Sequence, residues 1–265
     1  MLQVAFDQAQ SFVKVRCRIN DGIRLWRRSS MFTIGYDENH RVSLSHAPVV
    51  CSRQEKGTRM SVQRYHSVLL FGTPGAGKGT QGQILGKIPG FFHLSVGDVF
   101  RALDINSPDG REVYQYSSQG ILVPDETTIR IWKRNIDALT ILSYYKPHED
   151  LLILDGIPRN RRQAEIVEEH IEVLKIVHLK CVDNEAMVHR IRRRAIRENR
   201  VDDAHEDIIR RRFQVYENET KPVLEYYPPK LVADVDAFGS PAEVLFNILK
   251  HVVPVQNSHF RHEGA

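Results

Sequence analysis

Short apolar runs recur along residues 67–235, and a stretch with helical spacing follows each. The first run is Ser67-Val68-Leu69-Leu70-Phe71. It carries no interruption after Ser67, the pattern of a strand buried on both faces of a parallel sheet. Residues 91–95, 151–154, 173–179 and 231–235 repeat it. Between and after them the spacing predicts helices over 78–86, 97–103, 109–119, 127–142, 160–169, 184–197, 207–226 and 241–251. Pro124 suits a helix start and Ser240 an N-cap. The polar stretch after Pro254 is expected to fray. Strands alternating with helices predict an α/β fold in three layers, a five-stranded parallel sheet flanked by helices.

Residues 1–59 do not join this pattern. Residues 31–36 allow a short strand without a larger context. The segment holds ten Lys/Arg and five acids, so it carries +5 of the chain's net +4 and leaves −1 on the remainder. A basic nucleic-acid surface is therefore not implied for the body, and the arm lacks an aromatic-basic platform. Met60 stands just before the first strand. The expectation is that Met60 is the natural start and that 1–59 is a disordered or non-native extension. A regulatory arm and a targeting segment are the alternatives, and the five acids weigh against targeting. The resulting domains are 1–59, a body over 60–253, and a tail over 254–265.

With 265 residues the chain can build one substantial domain. No apolar run approaches the roughly 20 residues that span a bilayer. Three cysteines, Cys17, Cys51 and Cys181, are too few and too scattered for a disulfide framework or a zinc site. A reducing, cytoplasmic compartment and no structural zinc are expected.

Chemistry enters after the first strand, at Gly72-Thr73-Pro74-Gly75-Ala76-Gly77-Lys78-Gly79-Thr80. Strand, glycine loop, lysine and helix form a phosphate cradle. Backbone N–H groups turn inward, the helix N-terminus adds its dipole, and the lysine adds a full charge. The junctions after the second and third strands read Ser95-Val96-Gly97-Asp98-Val99-Phe100-Arg101 and Asp155-Gly156-Ile157-Pro158-Arg159-Asn160-Arg161-Arg162-Gln163. Both fall at the carboxyl edge of the sheet, where open α/β sheets bind ligands, and each delivers an arginine there. Phosphoryl transfer needs two anionic substrates held in line under positive charge. Further arginines follow, with Arg190 and Arg194 sharing a helix face. Arg192, Arg193, Arg197 and Arg210 read as solvated surface.

These boxes resemble the adenylate kinase family of nucleoside monophosphate kinases, in order and spacing, over residues 62–252. Gly79 between Lys78 and Thr80, Gly120-Ile121-Leu122-Val123-Pro124-Asp125, and Arg200-Val201-Asp202-Asp203 add to the match. The resemblance implies a P-loop NTPase fold with a monophosphate-binding insertion over 96–125 and a short lid over 194–204. It implies reversible phosphoryl transfer from ATP to AMP, with Mg²⁺, by a monomer acting on small molecules. Gly75, Ala76, Gly77, Lys78, Gly79 and Thr80 would bind the ATP phosphates, Arg194 would pair with ATP, and Gly239 would meet the adenine. Arg101 and Arg159 would grip the monophosphate, with Arg200 and Arg212 closing over the phosphates. Val96, Ile121, Leu122, Val123, Gly156, Ile157, Pro158 and Gln163 would form the acceptor-base site. Asp98 and Asp155 would organise Mg²⁺ through its waters rather than bind it directly.

Three departures from the family pattern bear on this. Val96 stands where the family has threonine, which loses a hydroxyl toward the acceptor base. Ile157 replaces an aromatic residue. One extra residue after Arg200 lets counting select Arg211 or Arg212, and Arg212 is preferred because a loop accepts an insertion more easily than a helix. A kinase for UMP or CMP, and a nucleotide-gated binding protein of weak turnover, are the alternatives. Gln163 favours AMP, and the retained lysine and arginines favour turnover.

Overall fold

A computed structural model describes residues 64–181, 183–198 and 205–260, together with the backbone of four strands within residues 18–45. Met60, Arg200 and the rest of the Arg200-Val201-Asp202-Asp203 box lie outside the described residues. The chain divides into two units, Met1–Met60 and Ser61–Ala265.

In the first unit, β1 (Arg18–Ile19), β2 (Gly22–Arg27), β3 (Ser30–Tyr36) and β4 (Val42–Ser45) pair in that order as an antiparallel sheet. The sequence pattern shows weak alternation over 12–19 and allows a short strand over 31–36, and β3 falls on the latter. Antiparallel neighbours need only tight connections, as where Arg27 lies opposite Ser30. Pairing supplies backbone bonds that the pattern of any single strand does not reveal.

The second unit holds β5 (Tyr65–Gly72), β6 (Phe91–Ser95), β7 (Leu151–Asp155), β8 (Ile171–Lys180) and β9 (Val232–Asp236). They form one parallel sheet in the order β6-β7-β5-β8-β9. Its helices are α1 (Lys78–Leu85), α2 (Val96–Arg101), α3 (Pro108–Ser117), α4 (Asp125–Ile141), α5 (Arg161–Val167), α6 (Asn184–Glu198), α7 (Glu206–Val215) and α8 (Pro241–His259).

Alternate residues of each strand feed opposite faces. Leu69, Phe71, Leu94, Leu152, Leu154 and Ile176 pack on one side with Trp132 and Ile136 of α4 and Val167 of α5. Val68, Leu70, Leu151, Ile153, Val177 and Val235 pack on the other with Leu85 of α1 and Val244, Ile248 and Val252 of α8. Covering both faces explains why the strands read as unbroken apolar runs. Trp132 is wholly buried, and truncating such a side chain to alanine costs about 3–5 kcal/mol.

Two elements differ from the pattern-based expectation. The single helix expected over 207–226 is α7 followed by a π segment, Tyr216–Thr220, and a 3₁₀ segment, Lys221–Glu225. Pro222 has no N–H and its ring clashes with the preceding turn, so the α ladder changes register before it. The closing helix was expected to stop at 251 with a frayed tail beyond Pro254. It runs to His259 instead. Val244, Ile248, Val252, Gln256 and Phe260 recur every four residues and are all buried, so core packing carries the helix through Pro254. The Ser240 cap is present as a capping box, with Glu243 N–H donating to Ser240 Oγ and Ser240 N–H donating to Glu243 Oε2.

From β5 the chain crosses over β7 to β6, and from β7 it crosses over β5 to β8. The switch point of the sheet therefore lies at the carboxyl end of β5, where the glycine loop begins.

Candidate functional site

The loop after β5 enters α1 through Gly77, whose φ of 95° is left-handed, a conformation that glycine adopts without penalty. No side chain caps α1. The first intrahelical bond is Gln81 N–H to Gly77 O at 3.0 Å. The earlier N–H groups of the turn therefore remain available at the cleft for an anion. Lys78 folds back across the loop and donates from Nζ to Gly72 O at 2.6 Å and Thr73 O at 3.1 Å. Burial pushes its ammonium down to about 8. Asp155 opposes this shift, and Arg159, Arg194 and Arg212 reinforce it.

Asp155 ends β7 and is nearly buried. The chain then turns through Gly156 and a cis Ile157–Pro158 bond. Arg159 is held on three sides. Its Nε donates to Gly156 O at 3.0 Å, its N–H donates to Gln163 Oε1 at 2.8 Å, and its carbonyl accepts from Thr220 Oγ1 at 2.8 Å. Thr220 is the last residue of the π segment, so the register change sets a contact at the site. After β6, Ser95 caps α2 by accepting from Asp98 N–H at 3.2 Å. Asp98 pairs with Arg101 at 2.5 Å. The stretch expected to bind the base, Ile121 to Val123, is fastened to α4, where Thr128 Oγ1 donates to Val123 O at 3.3 Å.

These groups surround a cleft of about 1000 Å³. From the loop and α1 it takes Gly75, Gly77, Lys78, Gly79 and Thr80. From the acceptor side it takes Asp98, Arg101, Ile121, Leu122 and Val123, and from the turn after β7 it takes Asp155, Gly156, Pro158, Arg159 and Gln163. Arg194 of α6 and Arg212 of α7 complete it, whereas Arg211 is exposed and not part of the lining.

Four expected residues lie outside the lining. Ala76, Val96 and Ile157 are buried in the core at 3%, 1% and 2% exposure. Val96 packs with Leu94 and Ile157 beneath the site, while its neighbours Ser95 and Gly97 face the cleft. The acceptor-base role expected of Val96 therefore rests on its place in the motif, not on the cleft lining. At this strand-to-helix junction the apolar residue turns to the core. Gly239, with φ of 118°, sits exposed in the turn between β9 and α8, away from the cleft lining. Arg200 is outside the described residues. Of the arginines read as surface, Arg192, Arg197 and Arg210 form exposed pairs with Glu206, Glu198 and Glu185.

Sequence reasoning missed Thr128, Thr220 and Tyr216 in the lining, and Asp125 and Asn160 behind it. Asp125 and Asn160 carried a signal, as members of the Gly120–Asp125 and Asp155–Gln163 boxes.

A phosphate loop at the switch point of a parallel sheet, facing arginines across one cleft, defines a nucleotide phosphotransferase of the P-loop class. The family model described as adenylate kinase matches residues 70–232. An adenylate kinase of Kocuria rhizophila is 36% identical over 182 residues, covering 65% of this chain and 91% of the relative. One from a Cyanothece species is 35% identical over 193 residues, covering 70% and 94%. One from Nocardia farcinica is 37% identical over 182 residues, covering 67% and 93%. The chain belongs to the adenylate kinase family.

Proposed function

We propose that the protein transfers the γ-phosphoryl group of ATP to AMP, reversibly, giving two ADP. The observation that carries this reading is the charge in the cleft. Lys78 shares it with Arg159, Arg194 and Arg212, and their repulsion helps lower its ammonium. A ligand with several phosphate charges relieves that repulsion. The loop and Lys78 suit the donor phosphates, and Arg101 and Arg159 suit the acceptor phosphate, since guanidinium forks match phosphoryl oxygens. Arg194 and Arg212 face the same space and would cover the migrating group. Arg200 is assigned a phosphate contact by its motif alone.

Among the described residues no group of three His, Cys, Asp or Glu could hold a metal ion. Two carboxylates in the cleft, Asp98 and Asp155, suit Mg²⁺ that arrives on ATP and keeps its own waters. Bound there it would neutralise charge on the phosphates. No helix among the described residues is long and apolar enough to cross a membrane. The reading takes the chain as a cytoplasmic monomer, and sedimentation with ATP and AMP present checks the oligomeric state.

Steady-state assays with AMP, CMP, UMP and GMP test the acceptor, and AMP is expected to give the highest kcat/KM. A preference for CMP or UMP would replace this reading with a pyrimidine nucleotide kinase. Arg159→Ala and Arg194→Ala are each expected to lower kcat by about 10³-fold or more, the range for an arginine at a transferring phosphoryl group. Unfolding transitions are expected to stay close to those of the parent. Near-normal turnover in either variant would remove that arginine from the mechanism.

A further inference from the structure

Gln163 is almost fully buried, at 1% exposure, in the first turn of α5 and on the wall of the cleft. Its backbone N–H donates to Asn160 Oδ1 at 2.8 Å. Both ends of its side-chain amide are engaged as well. Oε1 accepts from Arg159 N–H at 2.8 Å, and Nε2 donates to Asp125 Oδ1 at 2.8 Å. The same Asp125 oxygen accepts from Asn160 Nδ2 at 2.8 Å. The other carboxylate oxygen stands 4.0 Å from Arg162 Nε.

This arrangement fixes which way the amide points. A carboxylate only accepts and a backbone N–H only donates. Turning the amide over would set its oxygen against the Asp125 carboxylate and its NH₂ against the Arg159 N–H, two repulsive contacts in a buried place. In the observed orientation the amide retains one N–H and one oxygen lone pair. A 6-aminopurine offers an acceptor at N1 beside an amino donor, and a 6-oxopurine offers the reverse. With the acceptor phosphate anchored, an amide of fixed orientation matches one of these edges and meets the other donor-to-donor.

Resting on the reading of AMP as acceptor, we infer that Asp125 is a positioning residue for the choice of acceptor base. Its carboxylate holds Gln163 in the orientation that complements adenine and so rejects 6-oxopurine monophosphates. It does this without contact to the reacting atoms.

The test compares kcat/KM for AMP and for IMP, with ATP saturating, in the wild type, D125N and D125S. An asparagine amide or a serine hydroxyl can donate as well as accept, so either removes the Asp125 restraint and leaves only the Arg159 N–H to hold the Gln163 amide. The AMP-to-IMP ratio is expected to fall about tenfold or more in each variant, because buried polar groups left unpaired dominate such discrimination. The KM for ATP is expected to stay unchanged. If D125N does not hold its fold at the assay temperature, D125S supplies the ratio. Equal losses on both acceptors, with the ratio preserved, would overturn the positioning role and leave the proposed activity standing. A wild type without activity on AMP would overturn both.

Discussion

Lys78 shows how a single residue can report on the state of the cleft. In the unfolded chain its ammonium titrates near 10.5, and in the folded site burial lowers it to about 8. Between those values the unfolded chain holds a proton that the native site has released. The group's contribution to stability therefore rises with pH across that window, the reverse of a lysine that gains a partner. Bound phosphates invert the preference, since they favour the charged form. Binding of ATP is therefore expected to take up a proton above about pH 8, and affinity is expected to fall there by up to about tenfold per pH unit. Calorimetry in two buffers of different ionisation enthalpy, at about pH 7 and about pH 9, measures the uptake. The expected result is uptake at the higher pH only, absent in K78M. Equal proton balance at both pH values would show that Lys78 already shares its charge with another group.

At the scale of elements, the acceptor side comes close to α7 at Gly120. Gly120 has φ of 70°, and a Cβ there would stand 2.9 Å from Ile208 O and 3.3 Å from Arg212 Cγ. Gly120→Ala combines left-handed strain with a clash against backbone that cannot swing away. It is expected to destabilise the fold by about 1–3 kcal/mol. It should also lower kcat/KM for AMP more than the affinity for ATP, because the displaced helix carries Arg212. Denaturant unfolding with acceptor and donor titrations separates the two effects. A variant as stable as the parent would show that the turn slides freely past α7. The elements themselves were legible in the sequence to different depths. Strands β5 and β7 were plain because burial on both faces leaves a continuous apolar signature. The break after α7 and the length of α8 were not, because each depends on what Pro222 or Pro254 packs against rather than on proline alone. The contact between Asp125 and Gln163 joins residues 38 positions apart, and local spacing carries no record of it. Val96 was read from its place in a motif, which locates a residue along the chain but not the side to which its side chain turns.

Over the whole molecule, the two-sided core puts titratable groups where charge is unwelcome, and acid should expose this. His93, His170 and His178 are each lowered from 6.5, in every case chiefly by burial. His178 is the most fully enclosed in hydrogen bonds. Its Nδ1 lies 2.9 Å from Asp234 Oδ1 and its Nε2 lies 3.0 Å from Tyr216 OH. Asp234 works against the lowering, and Lys180 and Lys221 add to it. As pH drops below about 6.5 the unfolded chain takes up protons at these positions that the folded sites resist, so the folded state loses ground. Asp234 belongs to a separate window. Burial opposes its charge, but Lys180 and His178 override that and hold its carboxyl below 3.8. Its contribution is therefore lost only in stronger acid. The urea midpoint is expected to be lower at about pH 5.5 than at about pH 7.5, and the drop is expected to shrink in His178→Gln, whose amide can donate to Asp234 and accept from Tyr216 without titrating. The comparison reads a difference of differences, so any uniform loss from the substitution cancels. If the drop were the same in the variant, acid sensitivity would rest with His93, His170 or the carboxylates, and the link from β8 through His178 to the π segment would serve geometry alone.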